Sequence, residues 1–175
     1  MLKYLVAYAS ETGNTKKIAE EIYNAIPSPR KELINVRSFA GLHDAENYFI
    51  GYWVNCGTCS MEIIDLLSSL HGKNVAIFGT CGLGNTEAYF KKLELAATTW
   101  LPNDNRFLGS YFCRGRMPVE FRQKYEDCRG KCPDEQLQLV IDAYDKAKSH
   151  PDKQDLLKAN IFTNKMIELI GDYNS

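Results

Sequence analysis

Three hydroxyls, an amide and a glycine crowd into six residues, Ser10-Glu11-Thr12-Gly13-Asn14-Thr15, directly after the apolar run Tyr4-Leu5-Val6-Ala7-Tyr8-Ala9. Ser10, Thr12 and Thr15 can each donate a hydroxyl hydrogen bond, and Asn14 can donate from its amide. Gly13 lets the backbone approach a ligand closely. Ile18, Ile22 and Ile26 recur every four residues beyond the loop, so the loop opens an amphipathic helix. A strand, a loop and a helix in that order aim the free N–H groups and the positive end of the helix dipole at whatever the loop holds. A phosphate can be held here without a lysine. The plainer reading is an ordinary turn capped by Ser10 or Thr12. One cap needs one hydroxyl, however, and this loop has three.

Other residue sets invite sharper chemistry and carry it less well. Cys56-x-x-Cys59 could be a redox pair, or half of a zinc site completed by Cys128-x-x-x-Cys132. Zinc sites do use short cysteine pairs, but these two pairs lie far apart in the chain. Cys59 stands near a helix start, where a thiol pKa can fall. The simplest reading makes all of these cysteines small apolar fillers. Gly82-Leu83-Gly84 begins a dinucleotide fingerprint, but Glu87 occupies the third small position, so the pattern fails. His43, His71 and His150 show no spacing to a nucleophile or to one another, and read as surface or capping residues. Arg114, Arg116, Arg122, Lys124, Arg129 and Lys131 form a basic cluster. It reads as solvated surface, or as a patch for an acidic partner or an anionic substrate. There is no P-loop and no hydrolase elbow.

The elements that must position these residues alternate. Strands are expected over 3–9, 32–38, 48–54, 74–79 and 106–113, with 40–41 and 44–46 as loop. Helices are expected over 13–26, 61–71 and 86–100. Ile63, Leu66, Leu67 and Leu70 form the inward stripe of the second helix, and Phe90, Leu93 and Ala97 that of the third. Ser60 is placed to cap the second helix. Alternation of strands with helices is the signature of an α/β fold. After Cys113 the pattern turns polar: a helix over 118–130, another from Pro133 with Leu137, Val140, Ile141 and Tyr144 at helical spacing, and a last one over about 152–171. In that last helix Leu157, Ile161, Phe162, Met166 and Ile170 are expected inward.

The 175 residues suit one domain. A net charge of −1 argues against a broad electrostatic grip on nucleic acid. No apolar run approaches membrane-spanning length. No export signal is visible, so reduced thiols and a cytoplasmic location are the expectation.

The hexapeptide at residue 10 resembles the phosphate loop of the flavodoxin family, a T-x-T-G-x-T pattern. That resemblance implies a three-layer α/β/α sandwich with a five-stranded parallel sheet in the order 2-1-3-4-5. It also implies a crevice for FMN where strands one and three part. Flavodoxin is itself the type example of that switch-point rule. The phosphate is then expected on Ser10, Glu11, Thr12, Gly13, Asn14 and Thr15. The ring is expected between Trp53, Val54, Asn55, Cys56, Gly57 and Thr58 on one side and Thr80, Cys81, Gly82, Leu83, Gly84 and Asn85 on the other. By the same resemblance, Gly57 is the small residue whose peptide can turn toward the ring and favour one-electron chemistry.

The chain departs from the typical member in two respects. It is not strongly acidic, which sets it apart from a carrier of basic partners. It also lacks a tyrosine in the third loop, with Tyr89 a turn into the helix and Trp53 early, on the strand, so that one face of the ring is expected to be open. The runs Gly51–Thr58 and Phe78-Gly79-Thr80 resemble a subgroup of small, less acidic members, one of which accompanies bacterial bilirubin reductase. Segment 114–133 is expected as a helical insertion over the sheet's edge or its crevice, within a single domain of 1–175. The expected role is an electron carrier between a reductase and a redox enzyme, with protein redox partners, no catalytic side chain and no metal. The rivals are an NAD(P)H-dependent flavin or quinone reductase, and a flavin-free accessory subunit.

Overall fold

Successive side chains of the first strand serve opposite faces of one sheet. In β1 (Leu2–Tyr8), Leu5 and Ala7 enter one core while Tyr4, Val6 and Tyr8 enter another. The strand is apolar without alternation because both of its faces are covered. The structure, a computed structural model, describes residues 1–38, 44–131 and 133–173. The expectations placed on Ala40, Gly41, His43 and Cys132 lie outside those residues.

β1 pairs in parallel with β2 (Lys31–Asn35) on one side and β3 (Ala45–Trp53) on the other. β4 (Asn74–Cys81) and β5 (Arg106–Arg114) follow, giving the order β2-β1-β3-β4-β5. The more polar β2 is an edge strand, as its composition predicts. Helix α1 (Asn14–Ala25) buries Ile18, Ala19 and Ile22 against Val6, Phe49 and Phe78. On the opposite face, α2 (Met61–Ser69) and α3 (Glu87–Thr98) bury Ile63, Leu66, Leu67, Leu93 and Ala97 against Leu5, Ile50, Tyr52 and Ile77. The Tyr52 hydroxyl, deep in this layer, donates to the Leu93 carbonyl at 3.2 Å. Beyond the sheet come α4 (Val119–Glu126), α5 (Asp134–Ala147) and α6 (Lys153–Tyr173). α6 joins α1 on its face, and the three layers make the flavodoxin-like sandwich. Among the described residues, no helix is long and apolar enough to cross a membrane.

Several boundaries differ from the sequence reading, each for a physical reason. β3 starts at Ala45, so Ala45 and Glu46 are strand rather than loop. Ala45 is fully buried, and the Asn47 amide donates to the Lys3 carbonyl and accepts from the Asn74 amide, both at 2.8 Å. These polar ties extend the strand past its apolar stretch. β4 runs on through Thr80 and Cys81. Along α6, Leu157 and Ile161 face outward, at 56% and 59% exposure; the inward stripe is Ala159, Phe162, Met166 and Ile170. The small Ala159 and the polar Thr163 were passed over because they carry little apolar signal, yet both are fully buried. Ser60 occupies the N-cap of α2 but makes no side-chain cap hydrogen bond. α4 is shorter than the expected 118–130 and buries no residue.

Gly51 is the tightest point of the sheet. It lies beside Phe78, and a Cβ built on it would sit 2.1 Å from that ring. Phe78 is itself fully buried and cannot swing away. Gly51→Ala should therefore destabilise the protein by about 1–3 kcal/mol, as overpacking does. Urea unfolding would measure the loss, and Phe78→Leu in the same chain should recover part of it.

Candidate functional site

Loops 9–13, 54–60 and 82–86 leave the carboxyl ends of β1, β3 and β4 and meet at one end of the sheet. Between them lies a cavity of about 410 Å³, within the roughly 300–1,000 Å³ range of small-molecule sites. Its wall takes Glu11, Thr12 and Asn14 from the first loop and the start of α1. It takes Trp53 through Gly57 from the second, and Thr80 through Leu83 from the third. Of the residues the sequence singled out, Ser10, Gly13, Thr15, Thr58, Gly84 and Asn85 stand outside that wall.

The first loop has the geometry that could seat an anion. Gly13 takes φ +85, and no side chain caps α1. The first-turn N–H groups are thus left to a ligand or to water. The hydroxyls are not all alike. Ser10 accepts from the Gly13 N–H at 3.2 Å, and Thr12 accepts from Asn14 Nδ2 at 2.9 Å, so both keep a hydrogen to donate. Asn14 Nδ2 also donates to the Arg116 carbonyl at 2.7 Å. Both of its amide hydrogens are engaged, so what Asn14 offers an anion is its backbone N–H. Thr15 is fully buried, and its hydroxyl lies 2.9 Å from that of Thr80.

The second loop turns on two residues. Asn55 and Thr58 exchange backbone hydrogen bonds at 3.0 and 3.1 Å around Cys56 at φ 50 and Gly57 at φ 80. Consecutive positive φ values make a tight hairpin turn, which glycine accepts freely and cysteine less so. Trp53 Nε1 is buried beside this loop without a hydrogen-bond partner among the described residues. A buried donor left unpaired costs about 1–3 kcal/mol, so an acceptor on a bound ring system would suit it.

A fourth wall comes from the segment after β5, which the sequence places over the sheet's edge or its crevice without identifying which of its residues line the site. Gly115, Arg116, Met117, Pro118, Phe121 and Tyr125 also line the cavity, as does Tyr89. The chain after β5 is strapped down on three sides. Gly115 N–H donates to the Cys81 carbonyl at 2.9 Å, Arg116 N–H donates to the His150 carbonyl at 2.8 Å, and the Arg116 carbonyl receives Asn14. The fit is close: a Cβ on Gly82 would sit 2.4 Å from the Met117 sulfur, and one on Gly84 would sit 2.0 Å from the Tyr89 ring. Phe121 and Tyr125 meet one turn apart on α4, with ring centroids 4.7 Å apart and planes tilted by 43°. Aromatics four residues apart on an otherwise polar helix were the available signal.

Cys59, Cys81 and Cys113 behave as core residues, whereas Cys56 is exposed and Cys128 half-buried. All described cysteines are free. Burial pushes Cys81 up to about 12 and raises Cys59 and Cys113, against the lowered value a redox pair needs. His71 pairs with Asp104 in the open at 3.0 Å. Among the described residues, the group with metal-ligand types close together is His150, Asp152 and Asp155. Its carboxylates are occupied: Asp152 accepts from the Gln154 and Asp155 N–H groups, and Asp155 accepts from the Asp152 N–H, so the pair caps α6.

Comparison with known proteins agrees with this geometry. A family model described as a flavodoxin domain matches residues 5–164. Two similar proteins are flavodoxin-like domain-containing proteins named BilS. The one from Clostridioides difficile strain CD3 is 34% identical over 171 residues, covering 95% of this chain and 97% of its own length. The one from Clostridium symbiosum strain WAL-14163 is 28% identical over 191 residues, covering 97% and 98%. Oxidised flavodoxin 1 from Bacillus cereus shares the fold with a TM-score of 0.57 at 15% identity, over 95% of this chain and 97% of that one.

The buried Thr15–Thr80 contact can be tested by itself. Thr15→Val or Thr80→Val alone leaves a buried hydroxyl unpaired and should cost about 1–3 kcal/mol. The double substitution should cost less than the sum of the two. Strict additivity in denaturant unfolding would show that the two hydroxyls do not interact.

Proposed function

Since the chain belongs to the flavodoxin family, we propose that it passes electrons between a reductase and an acceptor enzyme through FMN, the cofactor that membership assigns to it. The observation that carries this reading is the meeting of three loops around one cavity whose corner is an uncapped helix start. FMN supplies the redox chemistry when bound. The protein's part is to hold and shield it.

The Ser10 and Thr12 hydroxyls and the backbone N–H groups after Gly13 take the phosphate. Glu11, exposed and acidic on the same loop, opposes them with a like charge that these donors must outweigh. The turn at Cys56 and Gly57 presents backbone to the ring's edge, and Trp53 Nε1 offers it a donor. Tyr89, Met117, Phe121 and Tyr125 replace the tyrosine missing from the third loop and exclude water from one side.

A second reading is an NAD(P)H-dependent flavin or quinone reductase. The apolar mouth of the cavity favours it: Leu83 is 44% exposed there, beside Met117 and Phe121. A planar substrate could enter at that point. Rapid NADPH oxidation by the purified protein with a quinone acceptor would select the enzyme, and its absence would select the carrier. A colourless protein that ignores added FMN would select a flavin-free accessory role.

Absorption titration with FMN tests the cofactor assignment directly. Bound flavin should shift and sharpen its visible bands. Thr12→Glu should weaken binding on the order of a hundredfold, because a carboxylate would face the phosphate at close range. Unchanged affinity in that variant would place the phosphate elsewhere.

A further inference from the structure

A second cavity, of about 660 Å³, backs onto the first. Thr12, Asn14, Arg116, Met117 and Pro118 form the wall they share. Its far side is made by Lys17, Lys148, Ser149 and His150, none of which touches the first cavity.

Charge decides what this space can take. Lys17, Arg116 and Lys148 line it against a single carboxylate, Glu120. Neither Lys17 nor the Arg116 guanidinium has an ion-pair or hydrogen-bond partner among the described residues. Lys148 does pair with Asp145 at 2.7 Å, but that carboxylate also takes Arg122 at 2.5 Å, so the trio stays net positive. His150 is fixed in the wall. Its Nδ1 lies 2.5 Å from Oδ2 of the buried Asp155, and Asp152 stands 3.9 Å off. Its Nε2 has no partner among the described residues. The start of α4 at Val119 borders the cavity and adds a favourable dipole end, while the carboxyl end of α5 at Lys148 opposes it; the start of α1 borders it too, but its N–H groups serve the cofactor phosphate, so the second site rests on Lys17, Arg116 and Lys148.

We infer that this cavity binds a small, multiply charged oxyanion, an organic polyphosphate or polycarboxylate, at a position distinct from the seat of the cofactor phosphate. A concave space of this size suits a small molecule better than the flat face of an acidic protein. A molecule anchored there has only the shared wall of Thr12, Asn14 and Arg116–Pro118 between it and the first cavity. The site therefore offers a grip for the charged end of a reductant or acceptor. Its existence does not depend on which redox role the protein plays.

The test uses the full chain loaded with one equivalent of FMN and titrated calorimetrically at constant ionic strength. Pyrophosphate and citrate are the probes. At least one should bind saturably, and the one that binds tells phosphate from carboxylate. Lys17→Glu and Lys148→Glu should each weaken that binding roughly tenfold, and Lys148→Glu should leave FMN affinity unchanged. Lys148→Gln should give a smaller loss in the same direction, which guards against a folding defect from reversing the charge beside Asp145. No saturable binding of either probe would overturn the proposal. So would binding indifferent to both lysines, or binding of a polyglutamate peptide where both small probes fail. Pyrophosphate that binds the FMN-free chain and is displaced by FMN would also overturn it, since the probe would then sit in the cofactor's own seat. If FMN does not bind at all, the cofactor reading fails alone; the same lysine variants then decide this one on the FMN-free chain.

Discussion

The hydrogen bond between Thr15 and Thr80 holds the site together. It joins the first turn of α1 to the end of β4, across β3, and both hydroxyls are buried. Two polar groups in that position must satisfy each other or remain unpaired. Their pairing sets how far the first and third loops stand apart, and so fixes the floor of the cavity above. The segment after β5 then has one place to lie. Gly115 fits where it does because no Cβ intrudes on Asn14 and Thr80; one built there would sit 3.0 Å from the Asn14 amide.

From that floor upward, the site works by subtraction. Asn14 gives its amide hydrogens to Thr12 and to the Arg116 carbonyl. The Thr15 hydroxyl is paired with that of Thr80. What remains for an anion is backbone N–H, two hydroxyls and a helix dipole, a set that recognises charge and shape without a bound cation. The sequence motif names six residues as if they were equivalent. In the fold some of them keep a donor free, and others are spent on holding the loop in place.

The strands, the helices and the three loops could be read from the sequence because burial imposes a period. Tyr4 to Ala9 is apolar throughout because both faces are covered, and Ile63, Leu66, Leu67 and Leu70 recur at helical spacing because one face is. Where the period was weak the reading slipped. Leu157 and Ile161 drew the stripe of α6 away from Ala159 and Thr163, since hydropathy weighs a side chain's size and not which way it faces. β3 began early because Asn47 earns its buried place through hydrogen bonds, which leave no mark in an apolar pattern.

The sequence by itself determined the sheet, its covering helices and the hydroxyl-rich loop that opens the first helix. Each depends on local chemistry: alternation, a glycine able to take positive φ, and hydroxyls beside a helix start. Only the tertiary structure decided what closes the cavity. α4 buries nothing and carries no stripe, so nothing local says where Phe121 and Tyr125 face. That is set by distant partners: Arg122 pairs with Asp145 on α5, and the Gly115–Arg116 backbone pairs with Cys81, Asn14 and His150. A hydrogen bond between residues far apart in the chain has no period, and so could not be read before the chain was folded.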